Sequence, residues 1–367
     1  MSQPYSQSKA LWAMTKASFL AIFSNPISLV FSLLFPIIFI LIFGAFENSG
    51  IPVQQVAVRN GSDTTNAIFD SLKTSPYVKL TRFQDTAFMT SELLKGRLTG
   101  ILDIHPFSDS TGHQRYLVHF QSSSAAGTGV YLLLQSMENL SLKIESARLA
   151  GGRQFIIQPE ILEGQKYRQI DFILPGQLGF SILFATLFGI AFTFFSLREQ
   201  LVLKRFYASP VKRVNILIGI GVSRLFFQLI NVVVLVLFGY YFLHFTLQHG
   251  FLTFFEMIIL SCIMLFLLMG VGLIFSSIVK TDTSLPLLIN IFGFPQMLLS
   301  GTFFSVSVFP KWLQDICYFL PLTQFNNAIR KISFEGLHLH NTWREIGILM
   351  IWIVVIYSIL VKVIRWD

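Results

Sequence analysis

The chain has 367 residues, of which 53% are hydrophobic and only 13% are charged, and its mean hydropathy is +0.64. Soluble globular domains usually carry about 25% charged residues, so the composition excludes an ordinary soluble protein and predicts a membrane protein with several spans. The formal net charge of +8 does not indicate nucleic-acid binding, because residues 47–171 hold twelve basic and twelve acidic side chains. The positive excess lies in and beside the apolar runs, as the positive-inside rule describes.

The first 46 residues predict one interfacial helix and one span. Residues 1–26 combine lysines with aromatic residues, which favours a cytoplasmic helix lying at the membrane interface. Residues 27–46 carry no charge, and about 20 residues cross a hydrocarbon layer of roughly 30 Å, so we assign transmembrane helix 1 to them. Pro36 within this run should kink the helix.

Residues 47–171 change character and predict an inserted α/β domain. Charged and small polar residues return, and the apolar runs shorten to the length of strands and short helices. We predict strands at Val53–Val58, Gly100–Ile104 (ending before Pro106) and Tyr116–Phe120, and helices at Ala67–Leu72, Ser91–Leu98 and Tyr131–Leu149. Alternating short strands and helices over about 125 residues predict one compact domain. The glycine-rich segment Gly127–Gly129 fits a loop and helix cap better than an anion site.

Further apolar runs within residues 172–367 predict a five-helix transmembrane domain. The runs are Phe172–Leu197, Leu225–His244, Leu252–Val279, Ser284–Thr302 and Ile346–Ile364. Arg224 is placed at the cytoplasmic edge of its span, since an arginine at mid-bilayer costs about 3 kcal/mol. Residues 303–344 contain Pro310, Pro321 and Trp312 and predict short helices or a re-entrant hairpin on the outer side, not a crossing.

The predicted fold is therefore a polytopic α-helical membrane protein of six transmembrane helices with an inserted extracytoplasmic α/β domain. Both termini are predicted in the cytoplasm. The basic loop 198–213, Lys280 and the Lys362 and Arg365 end then lie on the side that the positive-inside rule requires. Residues 47–171 lie outside in this arrangement, because long loops cross the membrane regardless of their charge.

The loop 198–213, REQLVLKRFYASPVKR, has two interpretations. It carries five basic residues, Arg198, Lys204, Arg205, Lys212 and Arg213. Leu203, Phe206 and Tyr207 have helical spacing and can share one face, and Ser209-Pro210 suits a helix start. A basic cytoplasmic loop with a small apolar face suits docking of a partner. A solvated linker that only anchors topology explains the charges equally well.

Motifs for catalysis and nucleotide binding are missing from the sequence. No G-x-x-x-x-G-K-[ST] segment occurs, so we do not expect this chain to bind ATP through a P-loop. His338 and His340 have no third ligand nearby in sequence, so we do not expect a metal site. Glu256, near the outer end of its span, is interpreted as a snorkelling interfacial residue. Cys262 and Cys317 do not imply a disulfide framework.

Three other classes of protein fit the sequence less well. A membrane-anchored sensor or binding protein would use the outer domain for a ligand, but it would need a cytoplasmic output domain. An ion-coupled carrier would need paired acids within the membrane, and Glu256 has no evident partner. An enzyme acting on lipids would need a cluster of reactive side chains at the bilayer edge, which the sequence does not indicate.

The arrangement of one span, a large extracytoplasmic domain and then five spans resembles a subclass of the permeases of type-2 ABC exporters, and Leu33–Gly44, LLFPIIFILIFG, fits that family's first span. Lys204–Arg213, KRFYASPVKR, is similar to that family's K-R-L-hydrophobic-A-S/T-P-hydrophobic-x-R loop, and Arg198-Glu199 matches its charged start. Pro295–Thr323 resembles the family's S-G-x-F-F … P-x-W-L … P-L-T segment, which includes Ser300, Gly301, Pro310, Trp312 and Pro321. Two departures are Leu201-Val202, where many relatives have Gly-Thr, and Ser305, near a common proline.

The resemblance implies a half-transporter in the cell (inner) membrane that moves a substrate outward. It implies a separate ABC ATPase, which would bind ATP and magnesium and dock on the loop 198–213, and a second copy or a sibling permease. Membrane lipids would surround the assembly. No catalytic, cofactor or metal site is then expected in this chain, and the ATPase-coupling residues would be Arg198, Glu199, Leu203, Lys204, Arg205, Phe206, Tyr207, Ser209 and Pro210.

Overall fold

A computed structural model describes residues 7–23, 26–45, 54–75, 77–83, 85–108, 114–126, 128–146, 155–162, 168–200 and 213–363. The chain divides into two compact units. One is Glu47–Arg168, and the other joins Met1–Phe46 to Gln169–Asp367.

The smaller unit contains a mixed five-stranded sheet. Its strands are β1 Gln54–Val58, β2 Val78–Arg82, β3 Gly100–Ser108, β4 Gln114–Ser123 and β5 Phe155–Leu162, and its helices are α3 Ala67–Thr74, α4 Thr86–Leu94 and α5 Thr128–Ser146. The strand order is β2-β1-β3-β4-β5, with β3 and β4 antiparallel and the other pairs parallel. Val56 and Val58 pack with α3 and α5, whereas Ala57 packs with α4. This alternation is what the period of two along a strand requires.

Several predicted elements of this unit are confirmed, and others are wrong. Strands occur where β1 and β4 were predicted, and α3 and α5 follow the predicted helices. α4 begins earlier than the predicted Ser91, because the Asp85 side chain accepts from Ala87 N–H at 2.9 Å and caps the helix. β3 continues through Pro106, where only β4 pairs with it and β1 no longer does. The sequence analysis missed β2 and β5.

The larger unit is helical. Its helices are α1 Gln7–Phe23, α2 Pro26–Ala45, α6 Gln169–Glu199, α7 Arg213–Leu243, α8 Phe251–Ile278, α9 Ser284–Leu299, α10 Lys311–Phe319, α11 Pro321–Ser333 and α12 Trp343–Val363. Within the described residues, four helical stretches are long and apolar enough to cross a membrane: Gln169–Glu199, Ile218–Leu243, Phe251–Ile278 and Leu339–Val363. Apolar stretches at Leu33–Ile42 and Ser284–Leu299 are shorter. The helices therefore suit a multi-pass membrane protein, and the count of six spans stays a prediction.

α6 is the central helix of this unit. It is buried along most of its length and packs against α2, α7, α8, α9 and α11. It begins at Gln169, so Asp171 lies in its first turn and not in the preceding domain, where the sequence analysis placed it. The buried Asp171 carboxylate accepts from Thr246 N–H at 2.9 Å, which ties the start of α6 to the segment after α7.

Candidate functional site

The predicted coupling loop is described only at its two ends. Arg198, Glu199 and Gln200 close α6, and Arg213 opens α7. The other predicted coupling residues lie outside the described residues: Leu203, Lys204, Arg205, Phe206, Tyr207, Ser209 and Pro210.

Arg198 joins the end of α6 to the end of α8. Its guanidinium donates to the Ser277 carbonyl at 3.1 Å and to the Val279 carbonyl. The guanidinium also lies 5.4 Å from the centre of the Phe195 ring. The last carbonyls of a helix have no partner within the helix, and a cation there also favours the helix dipole. Arg198 therefore fixes the first end of the loop to α8, whereas Glu199 is exposed.

The other end of the loop lies beside the N-terminal helix, because α1 packs along the first half of α7. Asn215 Nδ2 donates to Gln7 Oε1 at 2.8 Å. A Cβ atom at Gly219 would lie 3.3 Å from the Met14 Cβ, so this glycine allows the two helices to approach closely. The described ends of the loop are therefore the end of α6, which is bonded to α8, and the start of α7, which packs against α1.

Gly301 forms the turn that follows α9. Its φ of +74° is in the left-handed region that favours glycine. Its carbonyl accepts from Arg330 Nη2 at 2.6 Å, and the same guanidinium donates to the Phe172 carbonyl at 3.0 Å. The guanidinium also lies 3.9 Å from the Phe172 ring centre. Arg330 therefore holds this turn against both α11 and the start of α6.

Ser300 and Thr302 complete the same turn. Their hydroxyls are 2.9 Å apart, and Asn326 Nδ2 donates to the Ser300 carbonyl and to the Thr302 hydroxyl, each at 3.2 Å. A Cβ at Gly176 would come within 2.4 Å of the Thr302 carbonyl oxygen, so only glycine fits there on α6. The turn thus joins α9 to α6 and α11, with glycine favoured at 301 by its backbone conformation and Ser300 bonded to Thr302 and Asn326.

Residues 303–344 contain short helices, in agreement with one of the two predicted forms. Pro310 immediately precedes α10, and Pro321 is the first residue of α11, so both prolines begin helices. Trp312 on α10 is 66% exposed. α11 is buried among α6, α8 and α12. The position of this segment relative to the membrane stays a prediction.

Glu256 is not a snorkelling residue, and that prediction is wrong. Its side chain is buried, and its Oε1 accepts from Leu339 N–H at 3.1 Å. The same oxygen lies 3.4 Å from His338 Nδ1. The carboxylate thus binds the first N–H of the short helix Leu339–Thr342, a position where negative charge is stabilised. His338 stacks on His249, with ring centres 4.7 Å apart.

The larger unit also contains a cavity of about 660 Å³. The α6 side of the cavity consists of two adjacent rows with a spacing of four residues: Phe180, Phe184, Phe188 and Phe192, and beside them Ser181, Ala185, Gly189 and Thr193. Residues at i and i+4 lie on one helix face. Successive phenylalanine rings have their centres 4.9 to 6.3 Å apart. α1, α2 and α7 contribute Ile22, Phe35, Pro36, Arg224 and Phe227 to the rest of the lining.

Arg224 is the charged residue of the cavity lining. It lies within the apolar stretch Ile218–Leu243, and its Nη2 donates to Thr193 Oγ1 at 2.6 Å. Thr193 Oγ1 in turn donates to the Gly189 carbonyl at 2.6 Å. Among the described residues, no carboxylate lies within ion-pair distance of the Arg224 guanidinium. This cavity was not predicted, although phenylalanines recur every four residues within Phe172–Leu197.

The comparisons with known proteins agree on one family. The sequence profile of the family described as "ABC-2 family transporter protein" matches residues 26–362. ABC transporter G family member 20 of Dictyostelium discoideum is 22% identical over 372 residues, which cover 95% of this chain and 50% of that protein. The probable multidrug ABC transporter permease YbhR of Escherichia coli (strain K12) is 26% identical over 155 residues, covering 42% of this chain and 41% of that protein.

A third relative is the linearmycin resistance permease protein LnrN of Bacillus subtilis (strain 168). It is 27% identical over 189 residues, which cover 51% of this chain and 48% of that protein. The chain therefore spans about half the length of the curated relatives that it matches.

Proposed function

This chain belongs to the family of ABC-2 transporter proteins, and we propose that it is the membrane-spanning permease of an ATP-driven exporter. It would move its substrate outward, using ATP hydrolysed by a separate ABC ATPase. The relatives support this proposal, because each is named as an ABC transporter or as a permease protein. ATP and magnesium would be bound by the ATPase, and this chain would contribute no catalytic residue.

We propose that the protein lies in the inner membrane of the cell. It would cross this membrane six times, with both termini in the cytoplasm. The four longer helical stretches would be four of these spans, and α2 and α9 would be the other two. The α/β unit would lie outside, inserted between α2 and α6. The basic residues around the loop 198–213 support this orientation. Residues 303–344 would cap the pathway on the outer side.

The tie between Arg198 and the end of α8 is the observation that carries the proposal. An ATPase that moves the loop 198–213 would displace the end of α6, and the bonds from Arg198 to Ser277 and Val279 would pass that displacement to α8. α6 packs against five other helices of the unit. A movement that enters there reaches the other helices directly, which is what an ATP-driven permease requires.

The docking surface is proposed from the sequence of the loop. Leu203, Phe206 and Tyr207 supply apolar and aromatic side chains of the kind that dominate protein interfaces. Lys204 and Arg205 would steer the loop towards an acidic rim on the ATPase. A second copy of this permease, or a sibling, would complete an assembly with two ATPase subunits.

Co-purification of the permease with its ATPase, together with ATP hydrolysis, tests the proposal. Phe206→Ala should weaken docking by about 1–3 kcal/mol, so less ATPase should be recovered at equal permease expression. The matched control is Phe255→Ala on α8, where the ring is 53% exposed and lies far from the loop in sequence. The control should retain the ATPase at the level of the wild type.

Two outcomes would contradict the proposal at different points. If Phe206→Ala retains the ATPase and full hydrolysis, Phe206 is not the anchor of the docking surface. If no ATPase accompanies the wild-type permease in any preparation, the exporter assignment itself fails.

A further inference from the structure

We propose that the cavity beside Arg224 is a substrate site for small aromatic compounds that carry one negative charge. This inference rests on the proposed export function and adds the chemical class of the substrate. It depends on the cavity of about 660 Å³, whose lining combines a row of phenylalanine rings with one cation.

The phenylalanine row makes the cavity suited to flat apolar groups. The rings of Phe188 and Phe192 are nearly parallel, at an angle of 13° and a distance of 6.0 Å. Phe35 from α2 stacks on Phe180 at 5.6 Å. Phe35 and Phe192 are 42% and 37% exposed, so the wall continues to an open rim. Aromatic pairs add stabilisation beyond the area that they bury, and this arrangement therefore favours aromatic ligands over saturated chains.

Arg224 supplies the preference for negative charge. Its contact in the cavity is the neutral Thr193 hydroxyl, and among the described residues no carboxylate neutralises it. The guanidinium has five N–H donors, so most of them stay available to an anionic group. A charge-assisted bond to a carboxylate or sulfonate in this apolar setting is stronger than one between neutral groups.

The buried hydroxyl of Ser181 independently indicates that the ligand carries a polar group. Its side chain is 5% exposed, and its hydroxyl has no hydrogen-bond partner among the described residues. A buried hydroxyl without a partner is costly. Because Ser181 lines the same cavity, a ligand with a polar atom near the α6 wall would satisfy it.

The test compares two fluorescent probes that share one ring system. 8-Anilinonaphthalene-1-sulfonate carries a sulfonate, and N-phenyl-1-naphthylamine lacks it. Binding is measured to the full-length permease in nanodiscs of phosphatidylcholine, with the signal of empty nanodiscs subtracted. Arg224→Gln should weaken binding of the sulfonate about tenfold or more, since a bond to a charged group is lost, and should leave binding of the neutral probe unchanged.

Three further variants make the result specific. Arg224→Lys should retain binding of the sulfonate to within a few-fold, because the charge remains. Phe188→Ala should weaken binding of both probes, because a wall of the cavity is lost. Arg344→Gln is the matched control, since this arginine is exposed at the start of α12 and outside the cavity, and it should change neither affinity.

Other occupants of the cavity give different results. Equal loss of both probes in Arg224→Gln, or no loss of either, would overturn the proposal. Phosphatidylglycerol added to the nanodiscs should leave the sulfonate affinity unchanged; displacement of the probe by this lipid would show an anionic-lipid site and overturn the substrate assignment. A wild-type permease that binds neither probe would also refute it.

The proposed function is checked separately in the same preparations. A permease that recruits its ATPase but binds the sulfonate independently of Arg224 would contradict the cavity proposal alone. Arg224-dependent binding in a permease that never recruits an ATPase would support the site and contradict the exporter assignment.

Discussion

Replacing Arg330 with methionine should destabilise the helical unit by about 2–4 kcal/mol. The change removes the donors to the Gly301 carbonyl at 2.6 Å and to the Phe172 carbonyl at 3.0 Å. Bonds to charged groups contribute about 1.5–3 kcal/mol each, and a cation–π contact at least about 0.5 kcal/mol. The two bonds share one guanidinium that is only part-buried, so the total is less than the sum.

Equilibrium unfolding in mixed micelles containing increasing dodecyl sulfate measures this difference. Arg344→Met is the matched control, because Arg344 is exposed, and exposed substitutions usually change stability by no more than about 0.5 kcal/mol. If Arg330→Met and Arg344→Met unfold at the same detergent fraction as the wild type, the junction around Gly301 does not stabilise the unit and this reasoning is refuted.

Three further predictions concern the orientation of the protein in the membrane, the buried Glu256 carboxylate and the core of the α/β unit. In a cysteine-free background, Tyr131→Cys should react with a membrane-impermeant maleimide on intact cells and Glu199→Cys should not; the opposite labelling would contradict the proposed topology. Glu256→Gln keeps an oxygen that accepts from Leu339 N–H, so both transport and ATP hydrolysis by the assembly should be unchanged; loss of transport with intact hydrolysis would favour ion coupling. Phe120→Ala should destabilise the isolated α/β unit by about 3–5 kcal/mol in chemical denaturation, and a loss below about 1 kcal/mol would show that the ring is not a core residue.

Local patterns predicted the elements that depend on nearby residues. The strand at Val53–Val58 and the helix at Ala67–Leu72 were predicted because each is a short run whose composition favours one structure over a few residues. Pro310 and Pro321 were interpreted as helix breakers within a segment of short helices, and in the structure they lie at the starts of α10 and α11. β2 and β5 were not predicted. In β2, Val78 and Leu80 alternate with Lys79 and Thr81, but the strand is only five residues long; β5 contains Pro159, which is unusual within a strand.

The site could be predicted only in part, because its contacts join distant segments. Arg198 was assigned to docking from its place in a basic loop, but its bonds reach carbonyls at Ser277 and Val279. Glu256 was judged to lack a partner, since Leu339 is close to it only after folding. The cavity could not be predicted because its lining comes from four helices that meet only in the folded chain. Only the phenylalanine row of α6 can be recognised in the sequence, from its spacing of four residues.

Photolabelling of the purified wild-type assembly with an azido-ATP analogue identifies the chain that binds ATP. We expect the label to attach to a partner chain and this 41.7 kDa chain to stay unlabelled. Excess ATP should prevent the labelling of the partner. Label attached to this chain in an ATP-competable manner, or an active preparation without any labelled partner, would contradict the claim that a separate ATPase drives this permease.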